Sequence, residues 1–159
     1  MKHKDLAGSF IVLILLTSCL SVSKMSDFPK TATAIPFERY AIEYHEKKEP
    51  FWTSKTSNEY YFEKETAMPE TVLANVIQYA LKEKKYTIKE VDTVKDYIIG
   101  SRGLHANEWS SITAVYYKLN NDQTKIQVYI KTKITQDITG GWSENRAKKV
   151  GEIIEREIH

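Results

Sequence analysis

Four strand patterns follow one another with very little chain between them, and this spacing restricts the fold more than any other feature. The runs are Tyr86 to Val91, Asp96 to Leu104, Trp109 to Leu119 and Lys125 to Gln136. The links Asp92-Thr93, His105 to Glu108 and Asn120 to Gln123 are short and rich in turn residues, whereas a parallel crossover needs a dozen residues or more. The four runs are therefore expected to form an antiparallel meander. In the last run Ile126, Val128, Ile130 and Ile134 fall on one face, with Gln127, Tyr129, Lys131 and Lys133 on the other. That alternation belongs to a sheet with one buried and one wet face.

Helices flank the meander. Pro69 suits the first turn of a helix and Glu70 complements its dipole; Val72, Leu73, Val76, Ile77, Ala80 and Leu81 then form one apolar stripe. After Gly140-Gly141-Trp142, Ser143 is a candidate cap for a closing helix whose Ala147, Val150, Ile153, Ile154 and Ile158 face inward. Tyr60, Tyr61 and Phe62 mark a strand over Glu59 to Lys64. The two-residue repeat of Tyr40, Ile42 and Tyr44 suggests an extra N-terminal strand, and the polar run 45–58, with Pro50 inside it, reads as a loop. The expected fold is α+β, an antiparallel sheet in β-α-β-β-β-β-α order with both helices packed on one face. This element order is similar to that of the TATA-box-binding protein and of small domains in envelope-assembly lipoproteins, without a shared diagnostic motif.

At 159 residues, 42% of them hydrophobic, the chain has room for one domain and a tail. Met1 to Asp5 carries Lys2 and Lys4, Leu6 to Leu16 is mostly apolar, and small residues precede Cys19, the single cysteine. This is the outline of a secretory signal peptide, with an apolar run too short for a membrane span. Leu16-Thr17-Ser18-Cys19 resembles the lipobox of bacterial lipoproteins. The resemblance implies that residues 1–18 are removed and that Cys19 becomes a lipidated first residue, palmitate-bearing and bound to the membrane. With Leu20 following, it implies the outer membrane, facing the periplasm, in a Gram-negative cell. Residues 19–36, with Ser, Thr, Lys and two prolines, read as a flexible tether, and 37–159 as the single α+β domain.

The residues give little support to catalysis. His45 and His105 are the imidazoles of the body, and no Ser, His and Asp set can be assembled from them. His105 to Glu108 lacks the second ligand of a metal-binding helix, since Trp109 stands at that place, and Gly100-Ser-Arg-Gly103 lacks the Lys-Ser/Thr of a phosphate loop. A close backbone approach or a bulge explains these glycines better. No cofactor, no metal and no enzyme activity are expected. With 23 basic and 21 acidic residues, the chain has no large basic field for nucleic acid.

If Val115, Tyr117 and Leu119 point to the helices, then Tyr116, Lys118, Tyr129, Lys131 and Lys133 share the opposite face, a tyrosine and lysine mixture suited to a partner. Trp109 and Trp142 stand beside turns, where they plug the core rim or anchor a partner. The expected function is that of a membrane-anchored envelope lipoprotein, a non-enzymatic binding, adaptor or assembly factor for another envelope protein or polymer. A carrier or sensor holding an apolar or polymeric ligand between sheet and helices is the alternative, and a hydrolase a third.

Overall fold

The computed structural model describes residues 23–47, 52–54, 57–103, 110–134 and 145–159, with 52–54 followed as backbone. Its meander is β3 (Thr87–Asp92), β4 (Tyr97–Arg102), β5 (Ser111–Leu119) and β6 (Lys125–Ile134), all antiparallel. Beyond β6, β2 (Ser57–Glu65) pairs along its whole length, and the short β1 (Trp52–Ser54) closes that edge. The six-stranded order is β1-β2-β6-β5-β4-β3. The loop expected over 45–58 is thus interrupted: its start belongs to a helix, Trp52–Ser54 is the edge strand β1, and its last two residues belong to β2; Pro50 lies outside the described residues.

Two helices cover the inner face. In α2 (Glu70–Glu83) Pro69 stands at the cap, and Leu73, Ala74, Ile77, Ala80 and Leu81 are buried. In α3 (Arg146–Glu157) the cap is Asn145, whose side chain accepts from Lys148 N at 2.8 Å; Ser143, expected in that role, lies outside the described residues. Ala147, Val150, Ile153, Ile154 and Ile158 are all buried, as their spacing predicts. They pack with Phe62, Ile98, Val115, Tyr117, Ile126, Val128 and Ile130 in one apolar layer. The helix α3 lies so close to β2 that a Cβ at Gly151 would stand 2.3 Å from the Tyr60 ring. At Gly100 a Cβ would stand 3.0 Å from Tyr86 Cβ, and β3 bulges opposite, between Ile88 and Glu90. Gly100 thus fits the close approach, while the bulge belongs to β3 and Gly103 has open space around it.

The N-terminal part departs from expectation twice. Phe37–Lys47 is a helix, α1, and not an extra strand. Phe37, Tyr40, Ala41 and Tyr44 recur at helical spacing as well as containing a two-residue repeat. The helical choice turns those four toward the sheet and leaves Ile42 60% exposed. Pro36 ends the preceding extended segment, and its carbonyl accepts from Arg39 N and Tyr40 N in the first turn.

The second departure concerns the expected tether. From Ser23 to Pro36 the chain is a strap across the outer face of the sheet, with short 3-10 turns at Met25–Asp27 and Ala32–Ala34. Phe28 and Ala32 are buried, Ala32 N donates to Lys95 O at 2.8 Å, and Thr31 caps its turn through Thr33 N. Composition suggested a loose segment because the few apolar residues here have no period of their own; they match pockets on the sheet instead. Residues 19–22 lie outside the described residues.

Candidate functional site

The alternation along β5 and β6 places the predicted face correctly, but that face is covered. Tyr61, Tyr129, Tyr116 and Tyr97 stand side by side on β2, β6, β5 and β4, each directly opposite the next in the ladder. All four are 0–2% exposed beneath the strap and α1. Tyr40 stacks on Tyr129 with ring centroids 4.4 Å apart. Each hydroxyl has a partner. Tyr61 donates to Glu63 Oε1 at 2.7 Å, Tyr40 donates to Tyr129 at 3.3 Å, Tyr116 donates to the Pro29 carbonyl at 2.8 Å, and Tyr97 donates to Glu90. A tyrosine can be buried in this way because its ring replaces apolar area while its one polar atom is tied. Tyr116 and Tyr129 are therefore not a free partner surface.

The lysines of that set separate. Lys131 pairs with Glu59 at 3.2 Å; Lys133 pairs with Asp27 of the strap at 3.5 Å and lies over the Phe28 ring. Lys30 from the strap bonds Glu90 and lies over Tyr97. Lys133 and Lys30 clasp the strap to the sheet, whereas Lys131 ties β6 to β2. Glu63 is the most constrained acid of this layer. Burial pushes its carboxyl up, but hydrogen bonds from Lys125, Tyr61 and Gln127 outweigh that and hold it at about 2. His45 at the end of α1 lies 3.4 Å from it.

Lys118 alone of the five is exposed, and it lies on a groove at the other end of the sheet. One part of this groove, about 620 Å³, runs along the strap from Ala32 to Pro36 and the start of α1, with Asp96, Lys118 and Leu119 as its far wall. A second part, about 240 Å³, shares those three residues and adds Glu70, Tyr117 and the β5–β6 turn. Asp96 ends the β3–β4 turn with a left-handed backbone, φ 56°. Asp92 Oδ1 sets that turn by accepting from Val94 N and Lys95 N. Burial, together with the Glu70 carboxylate beside it, pushes Asp96 up to about 6. Tyr117 is 1% exposed, and its hydroxyl is buried without a hydrogen-bond partner.

This groove has one apolar wall, one acidic end and a single lysine, and its geometry suits binding. Of the groove's residues, sequence reasoning named Lys118 and not its neighbours. Glu70 reads as a helix-dipole residue, Asp96 as the first residue of a strand, and Tyr117 as core. Nothing in one sequence signals that a strap, two turns and a helix start meet there. Among the described residues no group of three or more His, Cys, Asp or Glu could hold a metal ion, and no helix is long and apolar enough to cross a membrane. Cys19, His105, Glu108, Trp109 and Trp142 lie outside the described residues. No protein-family model and no curated protein matches the chain.

Proposed function

We propose that the chain is a lipid-anchored envelope lipoprotein whose domain is a non-enzymatic adaptor, with the strap groove as its binding site. The observation that carries this reading is the strap. If Cys19 bears the lipid, the chain is packed on the domain from Met25 onward, and at ~3.6 Å per residue about 22 Å of chain at most separates the two. Such an arrangement holds a domain at the bilayer surface. It does not suit a probe on a long lead. Two or three acyl chains on one residue would make the attachment durable.

A carrier with ligand between sheet and helices is less well supported. A ligand there would have to displace packed side chains from a layer in which Gly151 already meets the Tyr60 ring.

The test is labelling with a clickable palmitate analogue in a bacterial host, followed by membrane flotation. The wild-type chain is expected to label and float, and Cys19→Ala to do neither while leaving the domain folded. A labelled, floating Cys19→Ala chain would end the lipoprotein reading. Photo-crosslinking from position 118 is expected to capture one envelope component reproducibly, and from position 129 none.

A further inference from the structure

We infer that the acidic end of the groove binds an alkylammonium group, such as the end of a lysine side chain. Glu70, at the first turn of α2, and Asp96, held in the β3–β4 turn, line a cavity of about 240 Å³ together with Tyr117. Two carboxylates alone would signify a solvated acidic edge. The second observation is Tyr117, a residue of this cavity's lining that is itself 1% exposed and whose buried hydroxyl lacks a partner. Such an atom is costly to leave unmade. A ligand whose charged end donates several hydrogen bonds satisfies it and both carboxylates together. An ammonium has three N–H donors and no acceptor, which matches two anions and one phenol oxygen. The wall from Ala32 to Phe37, continuous with the acidic end through Asp96 and Leu119, is mainly apolar and suits the methylene stem behind such a head.

The groups facing Asp96 are Glu70 from α2, Asp92 from β3, and Tyr117 and Lys118 from β5, while Glu38 of α1 lines the adjoining cavity. Asp92 is engaged by Lys95 at 3.1 Å. Binding should therefore weaken as the pH falls from 7 to 5, when Asp96 takes up a proton and loses its charge.

This inference rests on reading the groove as the binding site and is independent of the lipid. The experiment is calorimetry on the full chain in detergent with three probes: the peptide Ala-Lys-Ala, its Nε-acetyl form, and n-butylammonium. Ala-Lys-Ala is expected to bind, with the acetylated peptide and the Glu70→Gln and Asp96→Asn variants weaker by roughly tenfold or more, the usual effect of losing one charge-assisted hydrogen bond. Tyr117→Phe should also weaken binding. Circular dichroism should show each variant folded, and a folded Glu70→Gln chain that binds normally overturns the inference even where another variant fails to fold. Equal affinity for n-butylammonium would identify a free amine as the source; a clear preference for the peptide would identify a protein partner. Equal affinity for the acetylated peptide would overturn the inference. So would loss of binding in Lys118→Ala, which would indicate an anionic ligand. If no probe binds while the chain still floats with membranes and crosslinks from position 118, the ammonium assignment fails and the adaptor reading stands.

Discussion

On its inner face β5 presents Val115 and Tyr117 to a layer built largely of Leu, Ile, Val and Ala from α2, α3 and the sheet; on its outer face it presents Ala114 and Tyr116 to aromatic rings from the strap and α1. The inner layer owes its stability mainly to apolar area removed from water, and polar atoms contribute little there. In the outer layer every row tyrosine is held by a named acceptor or donor, and four of the contacts to the strap pass through lysines or a hydroxyl. Aliphatic packing tolerates no gap and directs nothing beyond shape. Hydroxyl ties specify where a segment must lie. The difference teaches that the inner layer makes the domain, whereas the outer layer fixes the course of the N-terminal chain over it.

Deleting packing from the inner layer should have the largest effect. Ile154→Ala should cost about 2–5 kcal/mol, and urea unfolding followed by far-UV dichroism and by tyrosine fluorescence should show both layers lost in one transition. Two separate transitions would break the idea that the outer layer depends on the inner one. Glu63→Gln comes next. The carboxyl of Glu63 is held at about 2 in the folded chain against an ordinary glutamate value of 4.5, so its stabilisation is complete above about pH 4.5 and is lost as pH falls toward 2. The difference corresponds to about 3 kcal/mol. Unfolding free energies from urea titrations at pH 5 and pH 2.5 should differ less in the variant, by about 2 kcal/mol, and an unchanged difference would sink the assignment.

The tyrosine row offers the smaller tests. Tyr116→Phe removes the bond to Pro29 and should cost about 1 kcal/mol, with faster hydrogen exchange at Ala32 in the strap and none at Ile98 in β4. Equal acceleration at both would show that the strap is not a separable layer. Tyr129→Phe loses the longer bond from Tyr40 and the contact with Glu59 and should cost no more than Tyr116→Phe, about 0.5–1 kcal/mol.

The meander, both inner helices and the facing of Val115, Tyr117, Ile126, Val128 and Ile130 were legible because burial repeats at a fixed period there. Phe37 to Lys47 was ambiguous on that same criterion. Its apolar residues satisfy periods of both 2 and 3.6, and the tertiary demand for Phe37, Tyr40 and Tyr44 over the tyrosine row decides between them. The strap was illegible for another reason. Phe28 and Ala32 are single contacts whose partners, Lys133 and Lys95, lie roughly sixty to a hundred residues away, so no local pattern announces them. The same distance hides the groove: Glu70, Asp96 and Tyr117 are brought together by a helix start, a left-handed turn residue and a strand, none of which points to the others along the chain.

The strap also determines how the domain would respond to a pull from its N-terminus. A pull on the chain before Ser23 would meet the packing of Met25 first, then the clasp of Asp27 on Lys133, then Phe28, Pro29 on Tyr116, Lys30 on Glu90 and Ala32 on Lys95. These contacts are met one after another, as in unzipping, before any force reaches a strand. Peeling needs little force for each contact and leaves the meander and its two helices untouched. Were the chain anchored at Cys19, the strap would act as an extensible coupling: under tension the domain would stand off, uncover the Tyr97 and Tyr116 end of the row while α1 stays on Tyr129 and Tyr61, and open the apolar wall of the groove in the same movement.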